Sequence, residues 1–191
     1  ADRDFYYGDL RYPPANPTSL RPLPTDNPFF DPPQGPLVVP GKYKVTVATR
    51  VDGVETTVGT QDFEVDALNN ATLPASDRPA LLAFQRQTAA LQRAVLGAVE
   101  ATREMQTRVR HIVKAVDHTP GGSAAWLTEA KRIDTGLTGV LVALRGDEVM
   151  RRRNEPVAPS IGERVDSIVS SHWTTTGPPT GTSLRAYEIA A

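Results

Sequence analysis

The pattern of residues 41–66 is that of two β-strands, and in its first half apolar and polar residues alternate with a period of two. One face of the first half carries Tyr43, Val45, Val47 and Thr49, and the other carries Lys42, Lys44, Thr46 and Arg50. This pattern predicts a half-buried antiparallel strand. Asp52-Gly53 suits a type I′ turn, which needs two residues with positive φ. A return strand with Phe63 and Val65 on one face completes a predicted hairpin.

The N-terminal part of the chain shows two further patterns. Aromatic and apolar residues predict a strand over residues 1–12, ended by Pro13-Pro14. Residues 13–36 hold nine of the seventeen prolines, and proline fixes φ and removes a hydrogen-bond donor, so we expect an extended segment. This segment is either a solvated loop or an arm that wraps a neighbouring protein. Phe29 and Phe30 would anchor such an arm, because adjacent phenylalanines in a polar segment need burial.

These patterns predict too few strands for a complete sheet structure. A hairpin and one N-terminal strand cannot close a β-sandwich, so we expect the missing strands to come from upstream sequence, from helices that cover the sheet or from another chain. The chain is therefore expected to be a piece of a longer protein. We assign residues 1–66 to a sandwich-like domain with a proline-rich insertion at 13–36, residues 67–75 to a linker and residues 76–191 to a helical bundle.

Apolar residues recur at helical spacing in the second half of the chain. Ser76 or Asp77 is expected to cap a first helix that continues to about Val116, with a length of roughly 60 Å. The predicted inward stripe is Leu81, Leu82, Phe84, Leu91, Val95, Val99, Met105, Val109, Ile112, Val113 and Val116. A helix of this length needs a partner of similar length.

A second helix is predicted directly after Pro120-Gly121-Gly122, with Ser123 as its cap and Gly146 as its end. Its predicted inward stripe is Trp126, Leu127, Ala130, Ile133, Leu137, Val140, Leu141 and Leu144. Because the connection between the two long helices is short, the sequence predicts an antiparallel helical hairpin.

Two shorter helices are predicted near the C-terminus. Ser160-Ile161-Gly162-Glu163 spells a capping box, so a third helix should begin at Ser160. Its predicted buried residues are Ile161, Val165, Ile168, Val169 and Trp173. Residues 174–182 are expected to form a loop, and a fourth helix should begin at Leu184. The predicted fold class is α+β, a partial antiparallel β-sandwich followed by an antiparallel three- to four-helix bundle.

Composition and motifs argue against several kinds of chemistry. The chain has no cysteine and a net charge of −1, which excludes thiolate sites and a global field that would attract nucleic acid. None of the three histidines lies at a metal-ligand spacing. We expect His111 on the surface, His118 at a helix end and His172 in packing or capping. Since the chain also lacks a G-x-S-x-G elbow, we predict no catalytic site, no cofactor and no metal.

Arg151-Arg152-Arg153 is the one sharp charge run of the sequence. Asp147, Glu148 and Glu155 partly offset it, and the segment from Gly146 to Pro159 is otherwise polar and predicted to be a loop. The arginines either form a solvated loop or dock onto an acidic protein partner or lipid headgroups. Nucleic-acid binding is disfavoured, because no aromatic residues are interleaved with the arginines. No apolar run reaches the roughly 20 residues that cross a bilayer, so any membrane contact would be peripheral.

Three stretches of the sequence resemble one family. Tyr7-Gly8-Asp9-Leu10-Arg11-Tyr12-Pro13 is similar to a W-D-L-R-Y-P strand, and residues 35–47 (GPLVVPGKYKVTV) are similar to G-P-x-x-x-P-G-x-Y-x-V-x-L. Together they resemble the immunoglobulin-like domain of flagellar hook-capping type. Residues 159–173, 178–180 and 187–190 resemble the helical tail that follows this domain in large bacterial secreted proteins with sortilin-like or neuraminidase-type repeat propellers. Some of these are labelled glycosyl hydrolases or photosystem-stability-factor-like.

The resemblance implies that the partial sandwich is immunoglobulin-like and that the protein is periplasmic or otherwise extracytoplasmic. The matching motifs are structural, and the propeller of such proteins would carry any hydrolase or ligand site. This chain contains no S-x-D-x-G-x-x-W Asp-box. The resemblance therefore transfers no functional residue and no enzymatic activity.

These observations predict a non-catalytic accessory subunit that binds protein partners on the extracytoplasmic side. The host would be a large membrane-associated complex, and the photosystem-like label makes a photosynthetic reaction centre one host by analogy. The alternative is an accessory domain of a secreted glycoside hydrolase-like propeller protein. A third reading, a carbohydrate- or lipid-binding module that uses Trp126 or Trp173, is disfavoured because both tryptophans are expected in the core. The candidate partner-binding residues are Phe29, Phe30, Arg151, Arg152 and Arg153.

Overall fold

The structure is a computed structural model that describes residues 10–17, 32–70 and 73–191. Within these ranges it contains two strands that pair in one antiparallel sheet, and five helices. In chain order the elements are β1 (Gly41–Val51), β2 (Val54–Val65), α1 (Arg78–Asp117), α2 (Ala124–Arg145), α3 (Glu148–Arg152), α4 (Ile161–His172) and α5 (Gly181–Ala190). The predicted α+β class is confirmed.

Strands β1 and β2 form the predicted hairpin. Tyr43 lies opposite Phe63, and their ring centroids are 5.9 Å apart. The Asp52-Gly53 turn has φ values of 50° and 81°, which are the two positive values that a type I′ turn requires. The register shifts by one residue between Val47 and Ala48, and such a shift increases the local twist of a hairpin.

The expectation that this hairpin is half-buried is wrong for the described part of the chain. Val45, Val47 and Phe63 expose 46%, 56% and 38% of their surfaces. No helix of the described ranges packs extensively against either strand. Alternation in a sequence shows that one face of a strand is apolar, but it does not show which element covers that face.

A short antiparallel pairing precedes the hairpin. Residues 10–12 run alongside residues 36–38, and the N–H of Tyr12 donates to the carbonyl of Pro36 at 2.9 Å. This pairing is the described part of the strand predicted at the N-terminus, since residues 1–9 lie outside the described ranges.

Most of the proline-rich segment is not described. Residues 18–31 lie outside the described ranges, and they include Phe29 and Phe30, the proposed anchors of the arm. Residues 13–17 and 32–36 contain neither helix nor regular strand, which agrees with the effect of proline on both structures. Whether the segment acts as an arm therefore stays a prediction.

Helix α1 has 40 residues and is capped by Asp77, whose carboxylate accepts the N–H of Ala80 at 2.9 Å. One side of the helix is buried or half-buried at alternating spacings of three and four. These residues, which we call the α1 seam, are Leu81, Gln85, Thr88, Gln92, Val95, Val99, Thr102, Gln106, Val109, Val113 and Val116. The spacing is that of a coiled-coil core, yet five members of the seam are glutamine or threonine.

Helix α2 presents a matching seam toward α1. The α2 seam consists of Leu127, Ala130, Asp134, Leu137, Leu141 and Leu144, all buried or half-buried. The amide of Gln106 donates to the hydroxyl of Thr138 at 3.2 Å, while Leu144 at the other end of α2 packs near Val95. Later residues of α2 thus meet earlier residues of α1, so the two helices are antiparallel as predicted.

Five residues predicted to lie inward on these two helices are instead exposed. They are Met105 (49%), Ile112 (54%), Trp126 (64%), Ile133 (40%) and Val140 (46%). Each one immediately precedes a seam residue, so the helical turn of about 100° per residue rotates it away from the facing helix. Sequence periodicity identified the broad apolar side of each helix but not the narrower part that a single partner covers.

Helix α4 packs across α1 and the end of α2. The predicted capping box is confirmed, because the N–H of Ser160 donates to the Glu163 carboxylate at 2.7 Å and the N–H of Glu163 donates to the Ser160 hydroxyl at 3.3 Å. Val165 is 1% exposed and belongs to one cluster with Val95. A side chain at Gly162 would lie 2.6 Å from the carbonyl oxygen of Leu144, so α4 can approach α2 this closely only at a glycine.

Two boundaries near the C-terminal half differ from the prediction. The segment from Gly146 to Pro159 was predicted as a loop, but residues 148–152 form α3, because the Asp147 carboxylate accepts two N–H groups of its first turn. The last helix begins at Gly181 and not at Leu184, because Thr180 caps it. Both errors come from short capping interactions that apolar periodicity does not report.

A buried threonine of the α1 seam allows a test of how its polar residues affect stability. Thr88 is fully buried, and its hydroxyl has no hydrogen-bond partner among the described residues. Thr88→Val keeps the shape and removes the unpaired hydroxyl, so we expect it to raise the free energy of unfolding by about 1 kcal/mol. The matched control is Thr102→Val, which removes a hydroxyl that donates to the Ala98 carbonyl at 2.7 Å and should give no such gain. Chemical denaturation of both variants checks this, and equal effects would contradict it.

Candidate interaction surfaces

Arg151, the first residue of the arginine run, contacts neighbouring helices of the same chain. Arg151 lies 3.3 Å from the Glu163 carboxylate of α4, and its guanidinium also donates to the carbonyl of Arg145. These contacts join α3 to the end of α2 and to the first turn of α4. Arg151 therefore links three helices, in addition to any role in binding a partner.

The other two arginines also have acidic neighbours. Arg152 lies 2.9 Å from the Glu148 carboxylate, and Arg153 lies 4.0 Å from that of Glu155. The side chains of both arginines are largely exposed, and exposed ion pairs contribute little to stability. The run is thus a surface of paired charges, so a docked partner would have to compete with the carboxylates already present.

The exposed apolar face of the β1–β2 hairpin is a second candidate surface. It carries Tyr43, Val45 and Val47 from β1 and Phe63 from β2. The hydroxyl of Tyr43 donates to the carbonyl of Val39 at 2.6 Å, and this bond holds the ring against the base of the hairpin. Burial raises the pKa of this Tyr43 hydroxyl.

The opposite face of the hairpin is polar and paired across the strands. Lys44 lies 3.9 Å from Asp62, and the hydroxyls of Thr46 and Thr60 lie 3.3 Å apart. Cross-strand pairs of this kind stabilise a hairpin in water. The hairpin therefore has one face suited to water and one face suited to burial.

An apolar cleft of about 310 Å³ lies at the base of the hairpin. Val38, Val65 and Leu81 are among its lining residues, so it joins the hairpin to the start of α1. Leu10 and Asn70 also line it, and each borders residues outside the described ranges. We therefore assign no ligand to this cleft.

One histidine–serine hydrogen bond lies inside the helical part. The His172 ring nitrogen Nε2 is 2.9 Å from the Ser183 hydroxyl, and that hydroxyl is 2.9 Å from the hydroxyl of Thr180. His172 and Ser183 are 2% and 8% exposed, and Phe84 packs edge-on against the imidazole. The pair ties α5 to α4 in a place that a substrate cannot reach while this packing is intact. His172 thus lies in packing, as predicted.

The two tryptophans differ from each other. Trp173 is 5% exposed, as predicted, and its carbonyl accepts a hydrogen bond from Arg11 at 2.7 Å. Trp126 is 64% exposed, so the expectation that both tryptophans are in the core is wrong for this residue. An exposed tryptophan at the start of α2 marks a surface that sequence reasoning missed.

Two carboxyl groups near the start of α4 have shifted pKa values. Hydrogen bonds from the Ser160 N–H and hydroxyl lower the pKa of Glu163, and Arg151 adds to this. Burial raises the pKa of Asp166, and nearby Arg145 offsets part of this rise. Both shifts follow from helix capping and packing, and neither carboxyl belongs to a group that could hold a metal, since no such group exists among the described residues. In those residues, no helix is both long and apolar enough to cross a membrane.

Comparisons with protein families, with curated proteins and with solved structures gave no match to this chain. The resemblance to propeller-associated immunoglobulin-like domains therefore stays a prediction from the quoted motifs. The motif residues do meet in space, because the guanidinium of Arg11 donates to the carbonyls of Gly35 and Trp173 at 3.1 and 2.7 Å. These contacts give the motif residues a structural role.

The buried imidazole predicts a dependence of stability on pH. Burial lowers the pKa of His172 below its ordinary 6.5 because it disfavours the charged ring. The unfolded chain then binds a proton at a higher pH than the folded chain, so the free energy of unfolding should fall as the pH decreases from about 7 to about 5.5. His172→Gln keeps a polar group near Ser183 but cannot titrate, and it should flatten this dependence.

The control for this test is His111→Gln, at an exposed position on α1, which should keep the wild-type slope. Subtracting the curve of each variant from that of the wild type removes the contribution of Asp166, which the proteins share. The assignment would be refuted if both variants showed the same slope in thermal denaturation across this pH range.

Proposed function

We propose that this chain is a non-catalytic accessory subunit that binds protein partners through its β1–β2 hairpin. The observation that carries the proposal is the apolar face of the hairpin, on which Val45, Val47 and Phe63 are exposed and Tyr43 is half-buried. A two-stranded hairpin is marginally stable in water by itself. Among the described residues no third strand pairs with β1 or β2, and a partner protein can add a strand to such an edge.

The mode of binding that best suits this hairpin is the completion of a sheet. The strands of a partner would extend an edge of β1 or β2 and cover the apolar face, while the paired charges of the other face stay in water. We propose on this basis that the hairpin is part of an incomplete immunoglobulin-like sandwich and that the helices form an antiparallel bundle beside it. The described contacts of α1 with α2 and of α1 with α4 support the second half of this proposal.

The arginine run and the proline-rich segment are secondary parts of the proposal. Arg152 and Arg153 are exposed beside their own carboxylates, so they would steer an acidic partner more than they would hold it. Phe29 and Phe30 remain the proposed anchors of an arm. The site of action is proposed to be the extracytoplasmic side of a large membrane-associated complex. A photosynthetic reaction centre is one such host, by analogy with the label that some similar proteins carry.

Native purification of two variants, with substitutions on opposite faces of β1, tests this function. Val47→Asp places a charge on the apolar face of the hairpin, and we expect it to reduce the recovery of bound proteins at least about tenfold, because a buried unpaired charge is costly. The control is Thr46→Asp, which adds the same charge on the water-facing side of the same strand. Affinity purification of the tagged chain from its native cells, followed by mass spectrometry, gives the readout.

The expected result is a defined set of proteins that wild type and Thr46→Asp retain and Val47→Asp loses. Circular dichroism of each variant confirms that the helices remain folded. The proposal would fail if the wild-type chain were monomeric, fully folded and without any specific partner, or if both variants retained the same set.

The second candidate is an accessory domain of a secreted propeller protein. The observation that favours it is the contact between the quoted motifs. Arg11 of the first motif donates hydrogen bonds to the carbonyls of Gly35 and Trp173, which belong to the other two. Mass spectrometry of the mature polypeptide decides this candidate. A propeller on the same polypeptide, together with glycan hydrolysis, would support it, whereas a mature protein no longer than this chain would exclude it.

A further inference from the structure

We call the C-terminal half of α1, from residue 98 onward, its distal half, and the N-terminal half its proximal half. The distal half of α1 and the helix α2 beside it carry an exposed apolar strip. It consists of Ala98, Met105 and Ile112 on α1, and of Trp126, Ile133 and Val140 on α2. On each helix these residues are seven apart, which places them in one line along the helix. We refer to these six residues as the apolar strip.

Both rows of the strip lie on the same side of the helix pair. Every strip residue immediately precedes a seam residue of its own helix; Met105, for example, precedes Gln106, and Ile133 precedes Asp134. In an antiparallel pair, equal rotations away from the two facing seams lead to the same side. The two rows therefore form one continuous apolar surface.

On the proximal half of α1, residues of the same row are covered by another helix of this chain. The α1 row continues toward the N-terminus with Leu91 and Phe84, again at a spacing of seven. Leu91 packs against the core cluster around Val165 of α4, and Phe84 packs against His172 at the end of α4. Helix α4 thus covers the proximal part of the α1 row. In the described part of the chain nothing covers its distal part.

The C-terminal half of α2 is almost free of charge. No charged residue occurs from Thr135 to Leu144, and Gly136, Gly139 and Ala143 let another helix approach closely. A helix that is apolar or uncharged on most sides is normally covered in the assembled protein.

The charges that border the strip decide which occupant fits. Glu104 and Arg108 pair along α1, and Glu129 and Arg132 pair along α2. Because each border is neutral, nothing selects a partner of one charge sign. A second copy in the antiparallel direction does match, because a two-fold axis near Met105 would place Glu104 of one copy beside Arg108 of the other.

We propose that the apolar strip is a homodimer interface, in which the distal α1–α2 hairpins of two copies pack face to face as an antiparallel four-helix arrangement. The two-fold axis lies in the interface and crosses both helices near Met105 and Ile133, the centres of the two rows. The proximal halves and their α4 helices then point away from each other. This interface is separate from the β1–β2 hairpin and does not depend on the function proposed above.

The size of the strip sets the expected strength of the dimer. Residues 98–112 span roughly 21 Å, and two helices side by side are roughly 20 Å wide, so each copy contributes about 400 Å². A stable interface usually buries about 800 Å² per partner. We therefore expect a reversible dimer with a dissociation constant on the order of 100 µM.

Sedimentation equilibrium of the full chain, from about 10 µM to about 1 mM, tests the proposal. Ile133→Lys brings two lysines together near the two-fold axis and should raise the dissociation constant at least about tenfold. The matched control is Val142→Lys, since Val142 lies on the same helix, is equally exposed at 40% and points away from the strip. This control should dimerise like the wild type.

A crosslink gives a second, independent readout. The chain has no cysteine, so Met105→Cys introduces a single thiol close to the proposed axis. Mild oxidation should convert this variant into a disulfide-linked dimer much faster than it converts Val142→Cys. A wild-type chain that stays monomeric up to about 1 mM, equal association of Ile133→Lys and Val142→Lys, or equal crosslinking of the two cysteine variants would each overturn the proposal.

Discussion

The packing along a single 40-residue helix organises the helical part of this protein. A single helix cannot bury its own apolar seam, and α2 is too short to cover all of α1. Helix α2 therefore covers the distal part of the seam and α4 the proximal part. Two of the three glutamines of the seam make this arrangement specific. Gln85 donates to the carbonyl of His172 at 2.9 Å and Gln106 donates to Thr138 at 3.2 Å, and a shift of either neighbouring helix would leave a buried amide without its partner.

The apolar faces of this molecule are not all buried to the same extent. Where α4 and α5 lie on α1, side chains such as Val165 and Ile168 are 1% exposed. The distal α1–α2 hairpin and the β1–β2 hairpin have apolar residues of the same kind, but in the described part of the chain no third layer covers them. Apolar side chains that share one face and remain in water favour association. The two proposed interfaces both depend on this difference in cover, one at the β1–β2 hairpin and the other on the α1–α2 pair.

Local chemistry made several features predictable. The Asp52-Gly53 turn, the cap at Asp77, the capping box at Ser160 and the end of α2 before Gly146 all occur where expected. Each depends on residues within about four positions of one another, so the sequence contains all the partners. The short helix α3 and the early start of α5 also depend on local caps, at Asp147 and Thr180, and closer attention to capping residues would have found them.

The candidate surfaces were less predictable, because exposure depends on residues that are distant in sequence. The sequence shows Arg151 as part of a charge run, but its pairing with Glu163 requires α3 and α4 to meet. Met105, Ile133 and Trp126 have the spacing of core residues, and only the absence of a covering helix in the described structure distinguishes them from Leu91 or Phe84.

The α+β class, the hairpin, the long antiparallel helices and most of their ends follow from the residues alone, because periodicity and caps act over one or two turns. Which apolar face is buried depends on the packing of distant elements, since an amphipathic pattern is the same whether a helix of this chain covers it or water does.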